Sequence, residues 1–114
     1  SSSIGKALLG ALKEPALRAW VAGRALPRIT PATLTEADAL VAEVLQSRQA
    51  GFFQTRGENV DDVWAVAAFL TVGRETLAVA VAGPRHRMQE RMLDCAQQLV
   101  ATCSVVARQL NREG

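Results

Sequence analysis

The sequence is poor in several residue types on which whole classes of protein depend. Its 114 residues include no tyrosine, three phenylalanines, two tryptophans, two cysteines and a single histidine. The longest uninterrupted apolar run, Val63 to Leu70, is far shorter than the roughly 18 residues that indicate a membrane span. No positively charged and then apolar signal segment opens the chain. These absences argue against a membrane protein and predict a soluble chain with no membrane partner.

The scarce cysteines and the single histidine also limit the chemistry that the chain can perform. Cys95 and Cys103 lie on one predicted helix, about 12 Å apart along its axis, which is too far for an internal disulfide. A cysteine pair without metal-ligand spacing fits the reducing cytoplasm, and it predicts no metal site. His86 has no evident partner for a catalytic dyad. The sequence therefore predicts neither an enzyme nor a cofactor.

What is present is the composition of an ordinary folded domain. Hydrophobic residues make up 49% and charged residues 21% of the chain, and the formal net charge is +2. This balance can bury a core and is not that of a disordered tail. It carries no strong basic signal for nucleic acid. Arg85, Arg87 and Arg91 cluster where a helix begins and could hold an anion, although a solvated charged turn is the simpler interpretation.

Hydrophobic periodicity predicts three helices in the first half of the chain. The apolar stripe of the first helix, which follows serines that can cap it, is Ile4, Ala7, Leu8, Ala11 and Leu12. The second helix has Pro15 in its first turn and ends at Gly23. The third begins at a near capping box of Thr35 and Asp38 and ends at Gly51.

The second half predicts a short strand, a hairpin and a long helix. The strand is "FFQT", and the segments "VWAVAAFLTV" and "TLAVAVA", separated by "GRE", predict a hairpin with a three-residue connection. The apolar stripe of the helix from His86 to Leu110 is Met92, Ala96, Leu99, Cys103, Val106 and Leu110. Antiparallel pairing makes the fold class α+β. Three strands are few for helices of this size, which indicates an incomplete sheet.

The two faces of the predicted hairpin differ in bulk, because side chains alternate across a strand. The larger set is Trp64, Val66, Ala68, Leu70, Leu77, Val79 and Val81, of which Leu77, Val79 and Val81 are predicted to be core residues. The smaller set, apart from Phe69, is Val63, Ala65, Ala67, Thr76, Ala78, Ala80 and Ala82. A shallow alanine face either lets a helix approach closely or leaves space for a small molecule. Close packing is the simpler explanation because cores are normally filled.

Five segments of the chain resemble, in order and approximate spacing, one known family. They are "GKALLGAL", "LPRITPATLT", "EVLQSRQAGFF", "ENVDDVWAVAA" and "VAVAGPRHR", and they are similar to the C-terminal effector-binding domain of the IclR family of bacterial transcription regulators. The resemblance implies a GAF-like or profilin-like antiparallel sheet flanked by helices, incomplete at its N-terminal side. It also implies that residues 1–114 are the C-terminal part of the effector-binding domain, without the winged helix-turn-helix that binds operator DNA.

The resemblance places an effector between the sheet and the start of the first helix. Carried over position by position, the effector-binding residues are Ser3, Ile4, Thr55, Val63, Ala65, Ala80 and Ala82. Family members that bind small keto acids have an aspartate, a cysteine and serines at the strand positions, where this chain keeps a hydroxyl only at Thr55. An alanine-lined pocket instead suits an apolar or aromatic ligand. Arg87 and Glu58 match frequent family residues, and structural roles are implied for both.

The resemblance thus implies a non-enzymatic regulatory domain that acts in the cytoplasm as a homo-oligomer, either a dimer or a tetramer. A small-molecule effector would shift the arrangement of its subunits and so change how the absent winged helices meet DNA, with repression and activation both open. The alternative is a ligand-free dimerisation or interaction module of the same fold. Trp20 and Trp64 are interpreted as core or interface anchors.

Overall fold

A computed structural model describes residues 2–25, 31–57 and 62–113, and in these ranges it contains five helices and three strands. The helices are α1 (Ser3–Gly10), α2 (Glu14–Ala25), α3 (Pro31–Ala50), α4 (Arg85–Met88) and α5 (Met92–Glu113). The strands are β1 (Phe53–Arg56), β2 (Val63–Val72) and β3 (Glu75–Pro84). They form one antiparallel sheet in the order β1-β2-β3. The α+β class predicted from the sequence is confirmed.

The connection of the hairpin is tighter than predicted. Val72 pairs with Glu75, so the loop consists of residues 73–74 and not of the three residues "GRE". Gly73 has a φ of +60° and no residue other than glycine has a positive φ among those described, which is the pattern of a type II′ turn. The Asn111 side chain of α5 holds this turn, because its Oδ1 accepts from the Gly73 N–H at 2.8 Å and its Nδ2 donates to the Thr71 carbonyl at 3.0 Å.

The register of the sheet confirms that the small side chains of the hairpin share one face. Residues directly opposite each other in an antiparallel pair lie on the same side of the sheet. The pairs on this face are Ala65 with Ala82, Ala67 with Ala80, and Phe69 with Ala78. The other face packs on α4 and α5, and its buried core is Val66, Ala68, Leu70, Met88, Met92, Ala96, Leu99 and Cys103.

The prediction that Leu77, Val79 and Val81 are core residues is wrong. Their side chains lie on the α5 face of the sheet, but they are 43%, 42% and 40% exposed. The reason is that β3 is an edge strand, while α5 packs mainly over the central strand β2. Alternation along a strand indicates which residues share a face, but not whether another layer covers that face.

Three predicted helix boundaries also differ from the structure. α2 continues through Gly23 to Ala25, and α3 begins at Pro31, ahead of the predicted capping box; proline suits a first helical position because it has no N–H to satisfy. The end of α3 at Gly51 is confirmed, since this residue has a φ of +92° and its N–H donates to the Ser47 carbonyl at 2.9 Å. A turn at residues 89–91 divides the predicted last helix into α4 and α5.

The buried face of α1 coincides only in part with its predicted apolar stripe, from which Ala7 is buried. Its buried residues are Ser3, Lys6, Ala7 and Gly10. Ile4 and Leu8 are instead 43% and 42% exposed. Small residues on the buried face let α1 come so close to the sheet that a Cβ on Gly10 would overlap the ring of Phe53.

Gly10→Ala is expected to lower the free energy of unfolding by about 1–3 kcal/mol, the usual cost of overpacking, even though alanine is the better helix former. Urea denaturation followed by circular dichroism measures the change. Gly23→Ala is the matched control, because nothing lies within 4 Å of the position of its added Cβ. A gain of stability in Gly10→Ala equal to that of the control would contradict the close packing of α1.

Candidate functional site

A concave site of about 480 Å³ lies between the alanine face of the sheet and the first turn of α1. Its lining residues are Ser2, Ser3, Ile4, Thr55, Val63, Ala65, Ala80 and Ala82. The structure therefore brings all seven predicted effector-binding positions around one cavity, and it adds Ser2. The volume falls within the range of about 300–1,000 Å³ that is typical of ligand sites.

The cavity exists because α1 touches the sheet along only part of its length. Ala7 and Gly10, in the second half of α1, pack with Phe53 and Ala67. Under the first turn of the helix the sheet presents Ala65, Ala80 and Ala82, which line the open space. The two explanations of the alanine face thus hold at different places, with close helix packing at one end and a cavity at the other.

The cavity has a deep polar end and an apolar mouth. Ser3, Thr55 and Ala65 are only 4%, 5% and 7% exposed, whereas Ile4 and Val63 are 43% and 38% exposed. A hydroxyl can donate and accept one hydrogen bond at the same time. The deep end therefore offers two hydroxyl groups to a polar substituent, and the mouth offers contact area to an apolar body.

No residue that lines this cavity, among those described, carries an ionisable side chain. The buried ammonium of Lys6 is engaged elsewhere, since its Nζ lies 2.7 Å from Glu43 Oε1 and 3.1 Å from the Gln54 carbonyl oxygen. The first turn of α1 supplies the partial positive charge of a helix N-terminus, and one N–H of that turn, at Gly5, donates to the Ser2 hydroxyl at 2.9 Å. No full charge therefore lines the cavity, and the helix N-terminus is its main electrostatic feature.

α1, which forms the roof of the cavity, is fixed to α3 at two points. The Lys6 to Glu43 ion pair joins the middle of the two helices. Arg48 Nη1 donates to the carbonyl oxygens of Leu12 and Gly10 at 2.6 and 3.3 Å, which satisfies carbonyls that the end of α1 leaves free. These contacts hold the helix at one height above the sheet.

The other sites considered from the sequence have a more ordinary structure. Arg85, Arg87 and Arg91 are all exposed, as is His86. The guanidinium of Arg85 lies 5.8 Å from the centre of the Trp64 ring, and that of Arg56 lies 5.2 Å from it. This geometry is that of cation–π stacking, and it gives the arginine cluster a structural contact. Glu58 lies outside the described residues.

The two cysteines and the possible metal ligands were also considered as functional side chains. Cys95 and Cys103 have free thiols, and burial raises the pKa of the Cys103 thiol, which makes it a poor nucleophile at neutral pH.

Within the described ranges, no group of three or more His, Cys, Asp or Glu residues could hold a metal ion. In the same ranges, no helix has the length and apolar character needed to cross a membrane.

A second concavity, which sequence reasoning missed, lies on the outer side of α1. This groove of about 680 Å³ is lined by Ser2, Gly5, Leu8, Leu9, Leu12, Trp20 and Leu40. Leu8 and Leu12 belong to the apolar stripe predicted for α1, so this part of the stripe faces the groove, whereas Ala7 of the same stripe faces the sheet. The exposed side chain of Trp20 shows that this tryptophan is not part of the core.

Comparison with known proteins identifies the fold and the family. The family model described as "Bacterial transcriptional regulator IclR C-terminal" matches residues 1–112. The chain belongs to the IclR family. The matching model is that of the C-terminal domain of the family, and the similar curated proteins are named as transcriptional regulators.

Two curated IclR-family relatives are similar over most of this chain. The HTH-type transcriptional repressor AllR of Escherichia coli K12 is 30% identical over 92 residues, which are 79% of this chain and 34% of AllR. The HTH-type transcriptional regulator BhcR of Paracoccus denitrificans is 31% identical over 102 residues, which are 88% of this chain and 37% of BhcR. The chain thus spans about a third of the length of these relatives.

A solved structure shows the same fold. The inducer-binding domain of the transcription factor PobR from Acinetobacter, a double mutant in complex with 3-hydroxybenzoic acid, superposes with a TM-score of 0.72 at 24% identity. The superposition covers 96% of this chain and 65% of that domain. This chain therefore corresponds to about two thirds of that inducer-binding domain.

Proposed function

We propose that this domain binds a small, neutral, aromatic or otherwise apolar effector in the cavity between α1 and the alanine face of the sheet. The observation that carries the proposal is the convergence of Ser3 and Thr55 hydroxyls with apolar walls in one site without ionisable side chains. Catalysis is not part of the proposal, and neither is a metal or a cofactor.

The chemistry of the lining favours a flat apolar body with one hydrogen-bonding substituent. An ion would lose its hydration in the cavity without a charged partner, which is costly. A phenol-type hydroxyl can instead bond to Ser3 or Thr55, and its ring can contact Val63, Ala80 and Ala82. The inducer-binding domain of PobR, which has the same fold, is known in complex with 3-hydroxybenzoic acid; that ligand shares the aromatic ring and the hydroxyl of the proposed effector and differs from it by its carboxyl group.

Binding at this site would act on the regulator through α1. A ligand changes an equilibrium between conformations only by binding one of them more tightly. α1 covers the cavity and is joined to α3 by the contacts of Lys6 and Arg48. A ligand bound in the cavity would therefore favour one distance of α1 and α3 from the sheet. In a cytoplasmic homo-oligomer, this shift would change how winged helix-turn-helix domains elsewhere in the regulator meet operator DNA.

The alternative function is that of an interaction module without a ligand. The groove beside α1 favours it, because Leu8 and Trp20 are each 42% exposed and exposed apolar patches mark protein contacts. Among the described residues that line this groove, the polar side-chain groups are the Ser2 hydroxyl and the Trp20 indole N–H. The two functions can be distinguished by whether small molecules bind to the domain, and by whether they bind in the cavity or in the groove.

A thermal-shift screen of the 114-residue chain tests the effector proposal. The probes are toluene, m-cresol and 3-hydroxybenzoate, with m-cresol expected to bind most tightly because it is neutral and has a hydroxyl. A ligand at 100 times its Kd stabilises the fold by about 2.7 kcal/mol, which for a chain of this size raises Tm by about 10 °C. If none of the probes raises Tm, the interaction module is the better account.

Thr55→Val tests the role of the deep end of the cavity. Valine keeps the shape of threonine and removes its hydroxyl, so the affinity for m-cresol is expected to fall about fivefold to tenfold, the equivalent of one hydrogen bond. The affinity for toluene, measured by the same calorimetric titration, should not change. An equal loss for both probes would show that Thr55 acts through packing and would contradict the hydrogen-bonding role.

A further inference from the structure

Lys6 is a charged residue in the interior of the domain. It is only 1% exposed, and a lysine is rarely buried so completely unless its ammonium group is paired. Its Nζ lies 2.7 Å from Oε1 of Glu43 on α3 and donates to the backbone carbonyl of Gln54 on β1 at 3.1 Å. Lys6 therefore joins three elements, α1, α3 and β1, at one point.

The stability of the fold does not by itself require a charge at this position. The side chain of Glu43 is 46% exposed, so water hydrates its carboxylate, and an ion pair with one exposed partner adds little to stability. Replacing buried charges with apolar residues of similar size is often neutral or stabilising. An apolar residue at position 6 could not, however, donate a hydrogen bond to the carbonyl of Gln54. The contact with β1 is therefore a reason to have lysine here.

The carbonyl of Gln54 lies on the outer side of β1, away from β2. The Gly57 N–H donates to the Val63 carbonyl at 3.0 Å, and hydrogen-bonded pairs alternate along an antiparallel ladder. In the register of β1 with β2, the odd-numbered residues of β1 therefore bond to β2, and Gln54 directs its own N–H and C=O outward. The ammonium of Lys6 binds this outward carbonyl.

The peptide group between Gln54 and Thr55 is consequently held from both sides. A trans peptide is planar, and its C=O and N–H point in opposite directions. The Gln54 C=O accepts from Lys6, and the Thr55 N–H of the same peptide faces Ala65 across the ladder. Thr55 carries one of the two hydroxyls at the deep end of the cavity. Lys6 thus fixes the backbone that directs this hydroxyl.

The second deep hydroxyl, that of Ser3, is linked to the same side chain. Ser3 lies three residues before Lys6 on α1, and both residues are on the buried face of this helix. Residues at this spacing are neighbours on a helix. The two hydroxyls come from different elements, Ser3 from α1 and Thr55 from β1, and Lys6 is a hydrogen-bonded link between these elements.

We propose that Lys6 is a positioning residue that sets the distance between the Ser3 and Thr55 hydroxyls, and that it thereby determines the preference of the cavity for ligands with a hydrogen-bonding substituent. The inference rests on the proposed function, since it concerns the ligands of the same cavity. Lys6 does not line the cavity and acts on the ligand through Thr55. Glu43 supports this role by holding the ammonium from the side of α3.

Calorimetric titration of Lys6→Met with m-cresol and toluene tests this role. Methionine keeps most of the length of the side chain and removes the ammonium. The affinity for m-cresol is expected to fall about threefold to tenfold, the range of a weakened hydrogen bond, while that for toluene stays within about twofold. The matched control is Arg18→Met, which removes the cation of an exposed ion pair on α2 and should change neither affinity. An equal loss for both probes would mean that Lys6 acts only on the fold, and would overturn the proposal.

Two further variants separate the contact with β1 from other effects of Lys6→Met. When Thr55→Val is already in place, Lys6→Met should cause no further loss of affinity for m-cresol, because the hydroxyl that Lys6 positions is absent. This is the coupling that a double-mutant cycle measures. Glu43→Gln keeps the ammonium and is expected to lower the affinity for m-cresol less than Lys6→Met does. Additive losses for Lys6→Met and Thr55→Val would overturn the proposal.

Amide hydrogen exchange without ligand tests the same contact independently of the proposed function. In folded Lys6→Met, the Thr55 N–H is expected to exchange at least about tenfold faster than in the wild type, because β1 opens more easily, while the N–H of Ala68 in the middle of the sheet changes less than about threefold. An unchanged rate at Thr55, or an equal change at both amides, would overturn the inference. If the wild type binds neither probe, the proposed function is wrong, and the Thr55 rate still decides whether Lys6 holds β1.

Discussion

Phe53→Ala is expected to lower the free energy of unfolding by about 3–5 kcal/mol, the usual cost of removing a large aromatic side chain from a core. Phe53 is 1% exposed, and its ring lies against Gly10, where α1 comes close to the sheet. The centre of this ring is 6.2 Å from the centre of the Phe69 ring. Since small domains are stable by only about 5–15 kcal/mol, this one change removes a large part of the total. Urea denaturation followed by tryptophan fluorescence measures it.

The matched control for Phe53→Ala is Leu93→Ala, a truncation at a side chain that is 61% exposed, and it should change stability by less than about 0.5 kcal/mol. Gly10→Ala should be harmless when combined with Phe53→Ala, because the ring that its Cβ would overlap is gone. This coupling between contacting residues is measured by a double-mutant cycle. A loss below about 1 kcal/mol for Phe53→Ala, or additive effects in the cycle, would contradict the account of how α1 is held above the sheet.

Ala80→Trp is expected to abolish binding of m-cresol, with a loss of affinity greater than about tenfold, or 1.4 kcal/mol. Ala80 is a half-buried residue of β3 that lines the cavity with Ala65 and Ala82. A tryptophan there would occupy the space that the ligand needs, and an aromatic residue is well accepted in a strand. Calorimetric titration of the folded variant measures the affinity.

The control for Ala80→Trp is Ala101→Trp, at an exposed position of α5 on the opposite side of the sheet. It adds the same side chain without entering the cavity, so the affinity for m-cresol should be that of the wild type. If Ala80→Trp folds and still binds m-cresol with unchanged affinity, the ligand lies elsewhere in the domain.

The parts of the fold that follow a local rule could be predicted from the sequence. Alternation along β2 and β3 correctly placed Ala65, Ala80 and Ala82 on one face, because the period of a strand is two whatever surrounds it. The end of α3 at Gly51 was predictable for a similar reason, since few other residues adopt a positive φ. The exposure of Val79 was not predictable, because it depends on which other elements cover β3.

The prediction for α1 failed for a physical reason that also bears on the cavity. Hydrophobic periodicity favours burial of Ile4, Ala7 and Leu8, yet of these the structure buries only Ala7, together with Ser3 and Gly10. Small residues on α1 allow closer contact with the alanine face of the sheet than large ones do. Hydrophobic periodicity carries no information about this fit between the helix and the sheet. The cavity positions were predicted by the family resemblance and not by periodicity, since they depend on the height of α1 above the sheet.

The most direct test of the effector proposal is the location of a bound probe by NMR. With m-cresol added to the isotope-labelled chain, the account predicts intermolecular contacts and the largest shift changes at Thr55, Ala65, Ala80 and Ala82, with small changes along α5. Contacts in the groove at Leu8, Leu12 and Trp20, or no saturable contact with the protein, would contradict it.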